Sequence, residues 1–128
     1  MPIQLSVLNT ALAICRFKPT EPIPASVFTL PFWSLTRTSD ELSLVVPSEA
    51  VHPNWNSEVG WQAMRIVGAL DFSLVGILAA IAAPLAQARI SIFVLSTYNT
   101  DYILVKAFQM EKAVDALRKS GFEVFAPY

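Results

Sequence analysis

Two short polar segments in the second half of the chain carry side chains suited to binding a small molecule. The first is Asp71-Phe72-Ser73-Leu74, with Gly76 close behind it. The second is Ser96-Thr97-Tyr98-Asn99, followed by Asp101. Carboxylates, hydroxyls and an amide can hold a small polar ligand in a partly dry crevice, where each charge needs an opposite partner. A helix that begins after Asp71 would add backbone N–H groups and its positive dipole end for a ligand carboxylate.

The same side chains also have purely structural interpretations, which the sequence leaves open. Asp71 fits an ordinary acidic residue near the N-terminus of a helix. Ser96, Thr97 and Asn99 are typical turn residues, and Asp101 fits a solvated charge at the start of a strand. Arg37, which enters the argument below, fits a surface cation equally well.

Neither catalysis nor metal binding is indicated. Asp71 and Asp101 could form an acid–base pair, but neither has a nucleophile or metal motif nearby in the sequence, and Cys15 with His52 lacks a third orienting group. The four glycines are too scattered for a dinucleotide-binding or phosphate-binding loop. One His and one Cys cannot build an ordinary zinc site. We therefore expect no enzymatic activity, no metal and no cofactor.

Charge and hydropathy exclude further classes of protein. Nine basic against ten acidic residues give a net charge of −1, which predicts no nucleic-acid binding. The apolar run over 72–88 is shorter than the roughly 20 residues of a bilayer span and is interrupted by Pro84. The segment before Arg16 lacks the basic residues of a signal peptide, so we expect a cytoplasmic protein without membrane attachment. With 54% hydrophobic residues, part of the surface should be covered by a partner.

The second half of the chain predicts the element order β-α-β-β-α-β. Apolar and β-branched runs indicate strands, and apolar residues at helical spacing indicate helices. Ser73 is the expected N-cap of the first helix, and Pro84 should kink that helix. The order is the split βαβ pattern of a ferredoxin-like unit. The predicted strands are 62–67, 90–95, 101–106 and 122–125, and the predicted helices are 74–88 and 109–120.

The first half of the chain repeats part of this order. The segment LTRTSDELSLV, from Leu35, aligns with LSTYNTDYILV, from Leu95, at an offset of 60 residues. Four prolines between residues 19 and 31 forbid a long helix in the first half. The interpretation is two tandem units, a degenerate copy over 1–54 and a complete copy over 55–128.

Three segments resemble the ACT-domain family: FWSLTRTSDELSLV over 32–45, LDFSLVGILAAIAAPLAQARISIF over 70–93, and LSTYNTDYILV over 95–105. The chain is similar in particular to small stand-alone tandem-ACT proteins related to the ACT modules of aspartate kinase and the cytosolic arginine sensor. The resemblance implies an α+β fold of ferredoxin-like βαββαβ units, with antiparallel sheets and helices on one face. It also implies a regulatory module that binds a free amino acid or similar small zwitterion and has no catalytic activity.

The resemblance also implies where the ligand lies. In such modules the turn after the first strand of one unit meets the second strand of the neighbouring unit. The first half lacks a full helix, so we expect one site per chain. Carried onto this sequence, the site comprises Asp71, Phe72, Ser73, Leu74, Gly76, Ser96, Thr97, Tyr98, Asn99 and Asp101, with Thr36, Arg37 and Thr38 from the facing unit.

A ligand-free dimerisation or scaffold module is the alternative function. The predicted helix over 74–88 has a second face of small, uncharged residues, where a solvated face would carry Lys and Glu. Such a face allows close approach of another element, so we expect a homodimer. Neither the identity of the ligand nor a regulated protein partner can be read from the sequence. The residues of this face are Val75, Gly76, Ala79, Ala80 and Ala83.

Overall fold

The structure is a computed structural model that describes residues 3–68 and 75–128. The described residues fall into an N-terminal unit, Thr10–Trp61, and a C-terminal unit, Met1–Asn9 with Gln62–Tyr128. Short 3₁₀ helices cover Ala25–Thr29, Ser48–Ala50 and Ala107–Gln109. The strands and helices are β1 (Gln4–Val7), β2 (Leu12–Phe17), β3 (Ser34–Arg37), β4 (Leu42–Pro47), β5 (Asn56–Ile66), α1 (Ile77–Gln87), β6 (Phe93–Ser96), β7 (Asp101–Lys106), α2 (Met110–Lys119) and β8 (Glu123–Phe125).

The C-terminal unit has the predicted ferredoxin-like element order, from β5 through α1, β6, β7 and α2 to β8. Its strands lie side by side in the order β6-β7-β5-β1-β8. Strand β1 pairs antiparallel with β5, where Leu5 faces Ile66, and parallel with β8, where Leu5 faces Val124. It thus separates the first and last strands of the unit. Strand β1 was not predicted from the sequence, although Gln4–Val7 alternates polar and apolar residues as a strand does.

Both helices of the C-terminal unit pack on one hydrophobic core, which confirms the predicted placement of helices on one face. The buried residues of α2 recur at helical spacing, and its last turn carries Arg118 and Lys119, as the helix dipole favours. The core joins residues of both helices to alternate residues of the strands. Its main members are Leu5, Met64, Ile66, Ile81, Leu85, Ile103, Val105, Met110, Ala113, Val114 and Leu117.

Helix α1 is shorter than predicted. It begins at Ile77, because Gly76 adopts a left-handed conformation with φ +80°. The predicted start at Leu74, which would place Gly76 inside the helix, is therefore wrong: the described residues Val75 and Gly76 are not helical. The helix continues through Pro84 to Gln87. Ser73 and Leu74 lie outside the described residues.

The face of α1 is also less buried than predicted. Ile81 and Leu85 are fully buried, as the helical spacing requires. Leu78, which the same spacing assigns to the core face, is 36% exposed. Together with Ala79, Ala80 and Ala83, which are exposed, it forms an apolar surface.

The N-terminal unit is the degenerate copy. Its strands lie in the order β3-β4-β2-β5, which is the strand order of a ferredoxin-like sheet, and each neighbouring pair is antiparallel. The long helices are replaced by the 3₁₀ turns Ala25–Thr29 and Ser48–Ala50. The prolines between residues 19 and 31 explain the first replacement, because proline removes a helical hydrogen bond and clashes with the preceding turn.

The repeat between the two units is shifted by one residue from the alignment above. The hairpin of β3 and β4 closes with Arg37 opposite Leu42, and that of β6 and β7 closes with Ser96 opposite Asp101. The structural offset is therefore 59 residues rather than 60. A shift of one residue matters because it moves every strand side chain to the other face.

Strand β5 supplies residues to both units, and Gly60 marks the point where its pairing changes register. Leu12 pairs with Trp61, whereas Ile14 pairs with Glu58, so β5 holds one extra residue. Gly60 has φ +84°, as the left-handed position of such a β-bulge requires. Strand β1 lies with the C-terminal strands, and the division into 1–54 and 55–128 stays a prediction. No helix of residues 3–68 and 75–128 is long and apolar enough to cross a membrane.

Candidate ligand-binding cleft

The loop that joins β6 and β7 is a tight turn held by two threonines. Thr97 donates its backbone N–H to the carbonyl of Thr100 at 2.8 Å, and its hydroxyl donates to the same carbonyl at 3.0 Å. The backbone N–H of Thr100 in turn donates to the Thr97 hydroxyl oxygen at 3.3 Å. These bonds confirm the predicted polar hairpin, because short hydroxyl side chains compete locally for backbone groups.

Thr100 ties this hairpin to the end of β5. Its hydroxyl donates to the carbonyl oxygen of Ile66 at 2.8 Å. Thr100 is only 8% exposed, so this hydrogen bond is shielded from water. A buried hydroxyl without such a partner would cost free energy, and the bond therefore fixes the distance between hairpin and strand end.

The strand end and the hairpin enclose a cleft of about 380 Å³ within the C-terminal unit. Gly68, at its edge, is the last residue described before the candidate segment 71–74. Arg65 supplies a guanidinium, and the other side chains supply hydroxyls and an amide. Such groups suit a carboxylate or another small polar anion. The cleft is lined by Arg65, Ile66, Gly68, Thr97, Asn99, Thr100 and Tyr102.

The alternation of β7 divides the predicted site residues between two faces of the strand. Ile103 and Val105 belong to the core on which the helices pack. Asp101, two residues before Ile103, therefore lies on the helix-bearing face, together with its cross-strand partner Ser96. Tyr102 lies on the opposite face and lines the cleft.

The structure thus brings only some of the predicted residues together. Thr97 and Asn99 line the cleft, whereas Ser96, Tyr98 and Asp101 do not belong to its lining. Tyr98 is 81% exposed. Gly76 is exposed and directly precedes α1.

Two further groups of predicted residues stay predictions. Asp71, Phe72, Ser73 and Leu74 lie outside the described residues. Thr36, Arg37 and Thr38 belong to the N-terminal unit, where all are exposed. Thr38 there makes the same kind of turn as Thr97, since its backbone N–H donates to the carbonyl of Glu41 at 2.9 Å.

Three residues of the cleft, Arg65, Gly68 and Tyr102, were not predicted from the sequence. Arg65 is the charged residue within the apolar run QAMRIV, and its exposed position between the buried Met64 and Ile66 is a signal of function or solvent contact. Tyr102 follows from strand alternation once Ile103 is assigned to the core. The only sequence feature that points to Gly68 as a cleft residue is its position after the strand.

Cys15 and His52 are placed as structural residues. Burial raises the pKa of the Cys15 thiol to about 11, so the thiol is neutral near pH 7 and a poor nucleophile. The His52 ring stacks on Trp55, with ring centroids 4.5 Å apart and an interplanar angle of 8°. Across residues 3–68 and 75–128, no three His, Cys, Asp or Glu side chains are grouped as a metal site would need.

Comparison with protein families assigns a match to each half of the chain. A family model described as an ACT domain matches residues 56–119, which is half of the chain. A second model, described as an N-terminal domain, matches residues 10–56. The two matches meet at the start of β5.

Known proteins show the same similarity at the level of sequence. The cytosolic arginine sensor for mTORC1 subunit 1 of Rattus norvegicus is 30% identical over 99 residues, which cover 70% of this chain and 30% of that protein. The chain spans between 30% and 53% of the length of the curated relatives it matches.

Solved structures match over nearly the whole chain. The crystal structure of protein Atu0741 from Agobacterium tumefaciens has 33% sequence identity and a TM-score of 0.91, covering 100% of this chain and 96% of that one. The regulatory subunit of aspartate kinase from Thermus thermophilus has 16% identity and a TM-score of 0.62, covering 89% and 94% of the two chains. At that lower identity the likeness concerns the fold.

Proposed function

Because the chain belongs to the ACT-domain family, we propose that it is a regulatory module that binds a free amino acid and performs no catalysis itself. The proposed site lies around the hairpin of β6 and β7. It includes the cleft beside the end of β5 and the segment 71–74 that follows this strand in the sequence.

The observation that carries the proposal is the bond between Thr100 and the carbonyl of Ile66, which holds the hairpin beside the end of β5. The guanidinium of Arg65 and the amide of Asn99 supply donors for a carboxylate. Asp71, in the segment 71–74, supplies the opposite charge for an ammonium or a cationic side chain, whereas Asp101 lies on the other face of β7. A zwitterion needs both kinds of partner.

One relative supports an amino acid as the ligand class. The rat protein is named as a cytosolic arginine sensor. The chain covers only 30% of that protein, so its specific ligand and partners do not transfer. The carboxylate of Asp71 favours a cationic or plain zwitterionic ligand, whereas the guanidinium of Arg65 favours a ligand with an additional carboxylate.

A thermal-shift panel of the proteinogenic amino acids tests this proposal. A ligand that binds only the folded state stabilises it by about 2.7 kcal/mol at roughly a hundredfold excess over Kd. We expect at least one amino acid to raise the melting temperature. Arg65→Gln should reduce that rise, whereas Lys112→Gln, on the exposed face of α2, should not. Failure of every amino acid to shift the melting temperature would contradict the proposal.

A ligand-free dimerisation module is the second candidate, and the exposed apolar face of α1 favours it. The helix sequence ILAAIAAPLAQ carries no charged residue, and Ala79, Ala80 and Ala83 are exposed. We propose a homodimer through this face, because such a surface in water favours burial against a partner. A monomer at micromolar concentration in sedimentation experiments would rule the dimer out. Ala80→Lys should dissociate it, and Glu111→Lys on α2 is the control.

We further propose a cytoplasmic location, supported by the similarity to the cytosolic sensor. ACT modules often control a separate catalytic domain, so a regulated protein partner fits the same proposal. A binding assay of the purified chain with and without the responding amino acid would reveal such a partner as a ligand-dependent complex.

A further inference from the structure

A second cleft, of about 330 Å³, lies wholly within the N-terminal unit. Its volume falls in the range of small-molecule sites, which is roughly 300–1,000 Å³. The lining combines one basic and one acidic side chain, two amides and four apolar residues. The lining residues are Arg16, Phe17, Glu21, Pro22, Pro24, Asn54, Trp55 and Asn56.

The apolar wall of this cleft is a supported set of rings. Trp55 stacks on His52 at a centroid distance of 4.5 Å and meets Phe17 edge-on at 5.1 Å, with an interplanar angle of 81°. Phe17 is only 7% exposed and belongs to the core of the unit. Because stacked and edge-on ring contacts each add stability, the indole is held in one orientation. Two prolines complete the wall without adding mobile side chains.

The two charged groups of the cleft are held by local contacts. The backbone N–H of Lys18 donates to Oε1 of Glu21 at 3.0 Å, which fixes that carboxylate within its own turn. The Nε of Arg16 lies 3.7 Å from Oε1 of Glu41. A guanidinium has five N–H donors and a carboxylate two oxygens, so each group has capacity for a ligand beyond these contacts.

We propose that this cleft binds a small zwitterion with an apolar side chain, of the class of the free hydrophobic amino acids. Arg16 holds the carboxylate of the ligand, and Glu21 holds its ammonium. The side chain of the ligand packs against Trp55, Phe17 and the two prolines. Asn54 and Asn56 offer amide hydrogen bonds at the rim. This site is separate from the hairpin cleft and does not depend on the function proposed for it.

Calorimetric titration of the full chain with L-phenylalanine, L-leucine and L-tryptophan tests the proposal. We expect saturable binding of at least one of them, and a perturbed indole N–H resonance of Trp55 in the NMR spectrum. For L-phenylalanine, 3-phenylpropionate lacks the ammonium and 2-phenylethylamine lacks the carboxylate. Each analogue should bind about tenfold more weakly or worse, because each loses a charge-assisted hydrogen bond.

Matched variants locate the binding. Arg16→Gln and Glu21→Gln should each weaken binding about tenfold, whereas Lys112→Gln and Glu49→Gln, both exposed outside the cleft, should not. All four residues lie at the surface, so the variants should fold, and circular dichroism checks this. Absence of saturable binding by all three amino acids up to about 10 mM would overturn the proposal. Binding that both cleft variants leave unchanged, or NMR shifts confined to residues 97–102, would also overturn it.

Discussion

The bond from Thr100 to the end of β5 predicts a specific cost for Thr100→Val. Valine has nearly the same shape as threonine, so the substitution removes the hydroxyl and little packing. It removes the bond to the carbonyl of Ile66 at 2.8 Å, at a position only 8% exposed. A buried polar group that loses its partner costs about 1–3 kcal/mol. For a chain of this size the melting temperature should fall by roughly 4 °C per kcal/mol, or about 4–12 °C in all.

Urea denaturation followed by circular dichroism measures this cost. The midpoint should fall with an unchanged slope, because the substitution alters stability rather than the surface exposed on unfolding. Thr36→Val, at an exposed position of β3, is the matched control and should stay within about 0.5 kcal/mol of the parent. If Thr100→Val is as stable as Thr36→Val, the hairpin is not held by this bond. The proposed cleft would then lack the hydrogen bond that holds its hairpin beside β5.

Three further substitutions test other parts of the fold. Gly60→Ala should lower the free energy of unfolding by about 1 kcal/mol, because the φ of +84° at this position disfavours any Cβ even though an added Cβ would meet no atom within 4 Å. Gly60→Asn should cost less, because asparagine tolerates positive φ better than alanine. Denaturant titration compares the two variants. Arg118→Met should destabilise the C-terminal residues by about 1–3 kcal/mol, because the Arg118 guanidinium donates to the carbonyls of Val124 and Tyr128 at 2.7 and 2.8 Å. Faster amide hydrogen exchange in β8 would report this loss. Lys119→Met is the control and should show little change. Burial raises the pKa of Cys15 to about 11, so the folded state binds this proton more tightly than the unfolded state, and stability should fall as pH rises from about 9 to 11. Cys15→Ala should reduce the fall in melting temperature over this pH range. An equal fall in both proteins would refute the cause.

The C-terminal unit could be predicted because its patterns are strong and local. Residues 101–106 form a short apolar run of strand-favouring residues, and the predicted strand coincides with β7. The apolar residues of α2 recur at helical spacing and are buried as expected. The start of α1 was missed because an apolar run carries no helix boundary of its own. The left-handed backbone conformation of Gly76, directly before α1, is not revealed by composition.

The N-terminal unit and β1 show where sequence patterns are insufficient. Pairing of Leu5 with both Ile66 and Val124 joins residues far apart in sequence, and a four-residue strand gives too little periodicity to identify such partners. The one-residue error in the repeat arose because identical letters were aligned, whereas the hairpin register decides which residues correspond.

The candidate site could be predicted only in outline. The polar hairpin was recognisable from Thr97 and Asn99, whose residue types are typical of turns. The cleft itself depends on which face each strand residue occupies. That choice separates Asp101 from Tyr102 and could be made only after Ile103 was seen in the core.

NMR titration of the isotope-labelled chain with the amino acid that raises its melting temperature tests the central claim most directly. We predict saturable shifts of the backbone amides that surround the hairpin cleft, at Gly68, Thr97, Asn99, Thr100 and Tyr102. Titration with no shift at these amides, or with shifts only in residues remote from β5 and the β6–β7 hairpin, would contradict it.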